Sequence, residues 1–262
     1  MTLSHERAGE GPVVLLLHSG VCDRRMWGPQ RDALVTAGYQ VLAPDLRGHG
    51  ETPGDAGDYS DAEDVRDLLD ALGVERAAVV GASWGGRVAL EFAARLPGRV
   101  DALALLCSGM PGHEPGPALR AFAEREDELL EAGDLAGAAA YNAEFWLGPD
   151  ATDAVRARVA EMQRHAFEAD LAAEARAVPE DAERAPAAPA PPAPDLSRIT
   201  APALAVGGAH DIEDFRRIAA RLAATLPAAR HLELPWAGHL PSLERPDETA
   251  DLLLDFLREA RS

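Results

Sequence analysis

The sequence predicts an α/β fold: a mostly parallel, twisted sheet with helices on both faces and an inserted helical cap. Short apolar runs of strand length alternate with amphipathic helical stretches, the pattern of a parallel sheet with crossover helices. The runs are hydrophobic almost throughout, as expected for strands covered on both sides. The alternation breaks between residues 111 and 195, where helical patterns occur without a convincing strand. We therefore predict a core of residues 1–110 and 196–262 and a cap of residues 111–195.

Six runs are predicted to form the strands of the core, in the order Val13–His18, Gln40–Pro44, Ala77–Val80, Val100–Leu106, Ala203–Val206 and Ala229–Leu234. A helix is predicted after Ser60-Asp61-Ala62-Glu63, which has the spacing of a capping box. This helix places Val65, Leu68, Leu69 and Leu72 on one face and ends at Gly73. Further core helices are predicted from Phe215 and after Pro246.

The cap contains two or more helical patterns, roughly Ala118–Ala132 and Ala151–Ala177. It ends in an Ala/Pro-rich stretch, Ala185 to Pro194, whose prolines exclude a helix. That stretch fits either a disordered linker or a semi-rigid connector that returns the chain to the sheet.

Composition excludes several classes of protein. The chain has 44 acidic and 25 basic residues and a net charge of −19, which argues against nucleic acid or an acidic membrane as partner. Cys22 and Cys107 lack the spacing of a disulfide framework or a zinc site, so we expect free, buried thiols and no metal. Met1 to Pro12 has no apolar signal region, and the longest apolar runs are strand-sized, so a cytoplasmic location is expected. The oligomeric state is not indicated.

The clearest chemical motif is Gly81-Ala82-Ser83-Trp84-Gly85, which matches G-x-S-x-G. It directly follows the predicted strand Ala77–Val80 and directly precedes a helical stretch, Gly86–Leu96. This strand-turn-helix setting is what a nucleophile elbow requires. We therefore predict that Ser83 is a nucleophile at the carboxyl edge of the sheet.

A serine hydroxyl needs a base and an orienting carboxylate to act as a nucleophile. Of eight histidines, His239 is favoured as the base because it follows the final strand-like run and precedes the last helix. Asp211 is favoured as the carboxylate because it follows the run Ala203–Val206; Asp214 is the alternative, expected instead in the first turn of a helix. The resulting order is Ser, Asp, His.

An oxyanion hole is predicted from two backbone amides. One is the N–H of Trp84, directly after the nucleophile. The other comes from the loop His18-Ser19-Gly20-Val21, with Gly20 as the first choice and Val21 as the alternative. His18 is expected to hold this loop by hydrogen bonds.

Several ordered motifs together resemble the α/β-hydrolase superfamily, in its esterase, enol-lactonase and perhydrolase-like branch. They are Leu17-His18-Ser19-Gly20, Met26-Trp27, Asp45-Leu46-Arg47-Gly48-His49-Gly50, Gly81-Ala82-Ser83-Trp84-Gly85-Gly86, Gly207-Gly208-Ala209-His210-Asp211, Gly238-His239 and Leu243-Glu244-Arg245-Pro246. The resemblance implies a triad of Ser83, Asp211 and His239 and oxyanion amides at Gly20 and Trp84. It also implies a structural turn at Asp45 to Gly50.

The chain departs from the family pattern in three ways. The usual His-Gly is His18-Ser19, and the short N-terminus leaves room for one antiparallel edge strand rather than a hairpin. The nucleophile position is Ser83, whereas the similar haloalkane dehalogenases and epoxide hydrolases attack with an aspartate.

The function implied is hydrolysis of a small carboxylic ester or lactone through an acyl-enzyme on Ser83, with no cofactor. Carbon–carbon bond hydrolysis, acyl transfer or perhydrolysis would use the same triad, and a non-catalytic ligand-binding protein of this fold is a further alternative. Val21 is expected at the substrate. Met110, Phe145 and Trp146 fit either an apolar substrate pocket or ordinary packing between cap helices.

Overall fold

The computed structural model describes residues 2–54, 59–176 and 194–261. Its strands are β1 (His5–Ala8), β2 (Val13–Leu17), β3 (Gln40–Pro44), β4 (Ala77–Ala82), β5 (Val100–Leu106), β6 (Ala203–Gly208) and β7 (Ala229–Leu234). Its α-helices are α1 (Gly28–Thr36), α2 (Asp61–Ala71), α3 (Trp84–Arg95), α4 (Pro117–Glu131), α5 (Leu135–Trp146), α6 (Asp153–Arg176), α7 (Glu213–Thr225), α8 (Pro241–Glu244) and α9 (Pro246–Glu259).

The strands form one sheet in the order β1-β3-β2-β4-β5-β6-β7. Strand β1 pairs antiparallel with β3, and the other neighbours are parallel, which confirms the predicted mostly parallel sheet with one antiparallel edge strand. The chain moves from β2 to β3 in one direction and from β4 to β7 in the other. With right-handed crossovers, this reversal places helices on both faces. Accordingly, α1 packs against α9, and α2 packs against α3.

The central strands are buried between these helical layers. Every residue of β4 and β6 is buried, and so are the last four residues of β2. Complete burial explains why these segments are apolar throughout rather than alternating. The edge strand β7 is only partly buried, and its polar residues Arg230, His231 and Glu233 are exposed.

Three helices, α4 to α6, lie between β5 and β6, where the sequence predicts the cap. The two predicted patterns correspond to α4 and α6; the sequence pattern did not separate α5, an Ala-rich helix that packs along α6. Most of the predicted Ala/Pro-rich connector falls in residues 177–193, outside the described residues.

Some predicted details of the elements are corrected by the structure. Strands β4 and β6 run two residues further than their apolar runs, because the hydrogen-bond ladder continues through small residues. Ser60 is the N-cap residue of α2, but its side chain makes no capping hydrogen bond, so the predicted capping box is wrong. Acidic residues in the first turn of α2 still complement the helix dipole.

Among the described residues, no helix combines the length and the hydrophobicity that are needed to cross a bilayer.

Candidate active site

The site lies where the strand order reverses. Strand β2 has β3 on one side and β4 on the other, and ligands of open α/β sheets bind in the crevice at such a reversal. The register pairs Leu17 of β2 with Gly81 of β4, so the loops that follow these strands leave the sheet at the same level. The Gly85 N–H donates to the His18 carbonyl across this crevice, at 3.1 Å.

Ser83 occupies a sharp turn between β4 and α3. Its φ of 50° lies in the left-handed region, which non-glycine residues rarely adopt. The Ser83 N–H donates to the Leu106 carbonyl at 3.0 Å, and the Ser83 carbonyl accepts from Gly109 and Arg87. The surrounding backbone therefore holds the strained turn that the G-x-S-x-G motif predicts.

Glycines around the serine are required by close backbone approach. A Cβ placed on Gly85 would lie 2.3 Å from the Leu17 carbonyl oxygen, and one on Gly81 would lie 2.5 Å from the Gly85 oxygen. A Cβ on Gly86 would lie 2.4 Å from Ser108 Oγ. The helix and strand can therefore meet this closely only without side chains.

Gly85→Ala is expected to lower the free energy of unfolding by about 1–3 kcal/mol, because the new methyl group overlaps the β2 backbone. Gly98→Ala is the matched control, since a Cβ there has no atom within 4 Å. Urea unfolding of both variants measures the difference. Equal midpoints for the two variants would contradict this account.

His239 connects Ser83 to Asp211 by two hydrogen bonds. Its Nε2 lies 2.8 Å from Ser83 Oγ, and its Nδ1 lies 2.7 Å from Asp211 Oδ2. A carboxylate only accepts, so Nδ1 carries the proton and Nε2 accepts from the serine hydroxyl. The other Asp211 oxygen accepts from the Ile212 N–H at 2.7 Å. The side chains of His239 and Asp211 are 2% and 1% exposed, so the pair is shielded from water.

The alternative carboxylate, Asp214, is bound elsewhere. It lies in the first turn of α7, as the sequence predicts. Its Oδ1 lies 2.8 Å from His113 Nε2 and accepts from the Gly116 N–H at 2.6 Å. The structure thus places Asp211, rather than Asp214, against His239.

The loop that carries His239 is held on both sides by Glu244. Its carboxylate accepts from the N–H of Gly238 at 2.8 Å and from that of Leu240 at 3.0 Å. Burial is the largest influence on this group and raises the Glu244 pKa, although the amides and the nearby His239 favour the charged form. The His239 N–H donates to the carbonyl of Trp146 at the end of α5. The motif Leu243-Glu244-Arg245-Pro246 does not indicate this role of Glu244, because two amides that share one carboxylate leave no recognisable spacing in the sequence.

The predicted oxyanion amides lie close together. A Cβ on Gly20 would lie 3.4 Å from the Trp84 Cβ, so the two backbones approach closely beside Ser83. The Ser19 carbonyl accepts from the Cys22 N–H at 2.9 Å, and the Gly20 N–H, on the same trans peptide, points the opposite way. The Trp84 N–H begins α3 and has no carbonyl partner within that helix.

His18 holds the loop after β2, as predicted. Its Nδ1 donates to the Ser19 carbonyl at 2.8 Å, and its Nε2 accepts from the Leu46 N–H at 2.9 Å. Complete burial lowers the pKa of His18 to about 3, so the ring stays neutral. His49 Nε2 lies 2.9 Å from the Gly20 carbonyl and fixes the next peptide of the loop.

A cavity of about 250 Å³ opens at Ser83 and His239, between the core and the helices α4 to α6. Of the predicted substrate residues, Val21 and Trp146 line it, whereas Met110 and Phe145 do not. Phe145 instead backs the cavity wall, with its ring 4.8 Å from that of Trp146. Met110 is buried in the core cluster. The cavity is lined by Ser19, Gly20, Val21, Ser83, Leu119, Phe122, Glu126, Asn142, Trp146, Gln163, Phe215 and His239.

A larger cavity of about 320 Å³ lies beside α6 but contains neither Ser83 nor His239. Its lining is mostly charged, and many of these charges are already paired. Arg24 bonds Asp45 and Glu51, and Arg25 bonds Glu161. The pair of Arg25 and Glu161 joins the segment after β2 to α6.

Within the described part of the chain, one group has the composition of a metal site: Cys107, Asp211 and His239, whose ligand atoms lie within 4.8 Å of one another. Asp211 and His239 already bond each other, and burial raises the pKa of the Cys107 thiol well above its usual range. Metal ligation requires the thiolate, which this environment disfavours. Both cysteines are free and buried, which confirms the expected thiol state.

Comparison with known proteins identifies the family. The sequence profile of the alpha/beta hydrolase fold matches residues 12–246. Over nearly its whole length the chain is 34% identical to RutD of Variovorax paradoxus, a protein whose name describes a carbamate hydrolase, with 98% of this chain and 96% of RutD covered.

Other similarities are local. An uncharacterized protein of Mycobacterium tuberculosis is 42% identical over 105 residues, and epoxide hydrolase 3 of Siraitia grosvenorii is 42% identical over 100 residues. These matches cover 39% and 36% of this chain, and only 30% and 32% of the relatives.

Among solved structures, the enol-lactonase of Burkholderia xenovorans superimposes with a TM-score of 0.77 at 26% identity, covering 98% of this chain and 96% of that one. A profile that matches most of the chain and a relative aligned along its whole length lead to the same assignment. The chain belongs to the alpha/beta hydrolase fold family.

Proposed function

We propose that this protein is a serine hydrolase that cleaves a small carboxylic ester or lactone through an acyl-enzyme on Ser83. The observation that carries the proposal is the continuous hydrogen-bonded chain from Ser83 Oγ through His239 to Asp211. The cavity of about 250 Å³ at the serine suits a small molecule. The chain is similar to an enol-lactonase and to a protein named as a carbamate hydrolase, and lactones and carbamates both contain a carbonyl carbon joined to oxygen.

In the first step, Ser83 Oγ attacks the substrate carbonyl carbon while its proton moves to His239 Nε2. Asp211 stabilises the resulting imidazolium and keeps the ring in the reactive tautomer. The tetrahedral oxyanion accepts hydrogen bonds from the N–H groups of Gly20 and Trp84, each worth roughly 3–4 kcal/mol in comparable sites.

The intermediate then collapses. The bond to the alkoxide leaving group breaks, and His239 donates its proton to that oxygen. Water, deprotonated by His239, attacks the acyl carbon. The bond between that carbon and Ser83 Oγ then breaks, and His239 returns the proton to Oγ, which releases the carboxylic acid and regenerates the Ser83 hydroxyl. In a lactone the alcohol and the acid remain parts of one product.

Labelling with a fluorophosphonate tests the proposal without knowledge of the substrate. The wild-type protein should gain the mass of one phosphonyl group in intact-mass analysis, because phosphonylation traps an activated serine. Ser83→Ala should gain none. Labelling of both proteins to the same extent would refute Ser83 as the nucleophile, and no labelling of either would favour a ligand-binding protein of this fold.

A further inference from the structure

The wall that α4 contributes to the cavity at Ser83 carries a carboxylate that has no cationic partner among the described residues. Glu126 is the only Asp, Glu, Lys or Arg among the residues that the structure places around the cavity. Its side chain is half-buried, and no ion pair joins it to an arginine of the described residues. A carboxylate removed from water without a cation is costly, so the site favours a ligand that supplies one.

The orientation of Glu126 is set by a neutral partner. Trp146 Nε1 is only a donor, and it lies 3.1 Å from Asn142 Oδ1. The Asn142 amide nitrogen therefore faces Glu126 Oε1 at 2.5 Å and the Ala138 carbonyl at 3.0 Å. Burial raises the pKa of Glu126, and the Asn142 hydrogen bond only partly offsets that effect. Asn142 thus holds the carboxylate in place without neutralising it.

Aromatic rings complete the lining. Phe122, Trp146 and Phe215 all face the cavity, and the rings of Phe122 and Trp146 lie 4.8 Å apart. The faces of such rings attract cations, and this attraction strengthens when water is excluded. The wall near Glu126 therefore combines an anion with aromatic rings.

We propose that this wall is a subsite for a protonated amine, so that the ester or lactone cleaved at Ser83 carries an alkylammonium group. The ammonium N–H would bond Glu126, and the adjoining methylenes would lie against the aromatic rings. The inference rests on the proposed function for the carbonyl chemistry, and it names the substrate class of the same site.

Three p-nitrophenyl esters of equal chain length test the subsite. Their acyl chains end in a dimethylammonium group, a trimethylammonium group or the neutral isopropyl isostere of the first. The dimethylammonium ester should have a kcat/KM about tenfold above that of its neutral isostere, as expected for a partly desolvated cation beside rings and a carboxylate. The trimethylammonium ester, which lacks an N–H, should fall between the two.

Glu126→Gln removes the charge with little change of shape. In this variant the ratio of kcat/KM for the dimethylammonium ester to kcat/KM for its neutral isostere should fall to within about twofold of one. Glu124→Gln is the matched control: it removes one charge from an exposed position on the same helix and should keep the preference. Equal kcat/KM for the charged and neutral esters in the wild-type protein would overturn the inference. The inference would also be overturned if the Glu126→Gln variant kept the preference for the charged ester, or if kcat/KM were higher for the trimethylammonium ester than for the dimethylammonium ester.

The two proposals fail in different ways. If Ser83 is required for cleavage of the neutral ester and the charged esters are not preferred, the proposed ammonium subsite is refuted and the proposed hydrolase activity is retained. Calorimetric titration of Ser83→Ala with the same esters measures binding without chemistry. Tighter binding of the ammonium ester to that variant, with no turnover by the wild-type protein, would retain the subsite and remove the proposed activity.

Discussion

Ser83→Ala is expected to lower kcat/KM for p-nitrophenyl esters by about 10⁴- to 10⁶-fold. The hydroxyl is the atom that forms the acyl-enzyme, and its hydrogen bond to His239 Nε2 has no equivalent in alanine. Alanine lacks only one oxygen, so the turn held by backbone bonds to Leu106, Gly109 and Arg87 should persist. The rates are measured by release of p-nitrophenolate, with circular dichroism to show that the fold is retained.

The loss should not be additive with that of His239→Ala. Serine and histidine act as one unit, so the double variant should be no slower than either single variant within about tenfold. Ser108→Ala is the control, because this nearby hydroxyl donates to the Gly109 carbonyl and, among the described residues, has no hydrogen bond to Ser83 or His239. Retention of turnover within tenfold of wild type in Ser83→Ala would show that another group attacks the carbonyl.

Asp211→Asn is expected to lower kcat at neutral pH by about 10⁴-fold. The Ile212 N–H needs an acceptor, so the oxygen of the new carboxamide should face it. The amide nitrogen then faces His239 Nδ1, which must accept rather than donate. The ring proton moves to Nε2, where it meets Ser83 Oγ and leaves no base for the hydroxyl proton.

Asp214→Asn is the matched control for Asp211→Asn. It changes a carboxylate three residues away that bonds His113 and Gly116 and has no bond to His239. Its kcat should stay within about tenfold of wild type. A reversed result, with Asp214→Asn inactive and Asp211→Asn active, would transfer the orienting role to Asp214.

The mostly parallel sheet could be predicted because strands that are completely buried consist almost entirely of apolar residues. A strand covered on both faces is apolar along most of its length, and β3 and β5 begin and end where their apolar runs do. Strands β4 and β6 end later than predicted, because backbone hydrogen bonding continues through Gly81, Gly207 and Gly208, where side chains give no signal. Element type follows from hydrophobicity, whereas element ends depend on backbone pairing.

Some residues of the candidate site could likewise be predicted from the sequence, and others could not. Ser83, Asp211 and His239 could be predicted because each follows a strand-like run, and parallel strands bring their carboxyl ends to one edge. Glu244 could not, because its role depends on two amides, at Gly238 and Leu240, that become neighbours only when the loop folds. The predictions for Met110 and Phe145 rested on residue type alone, and only Trp146 of that group lines the cavity.

The fold class, the strand-turn-helix around Ser83 and the chain order Ser83, Asp211, His239 could be predicted from residue types alone. These features are local, since each depends on a short run of residue types and the backbone geometry they allow. Only the folded structure shows that Glu244 bonds the amides on both sides of His239, and that Glu126, Asn142 and Gln163 line one cavity. Such choices depend on contacts between residues distant along the chain, and hydrophobic periodicity carries no information about which polar atoms will meet.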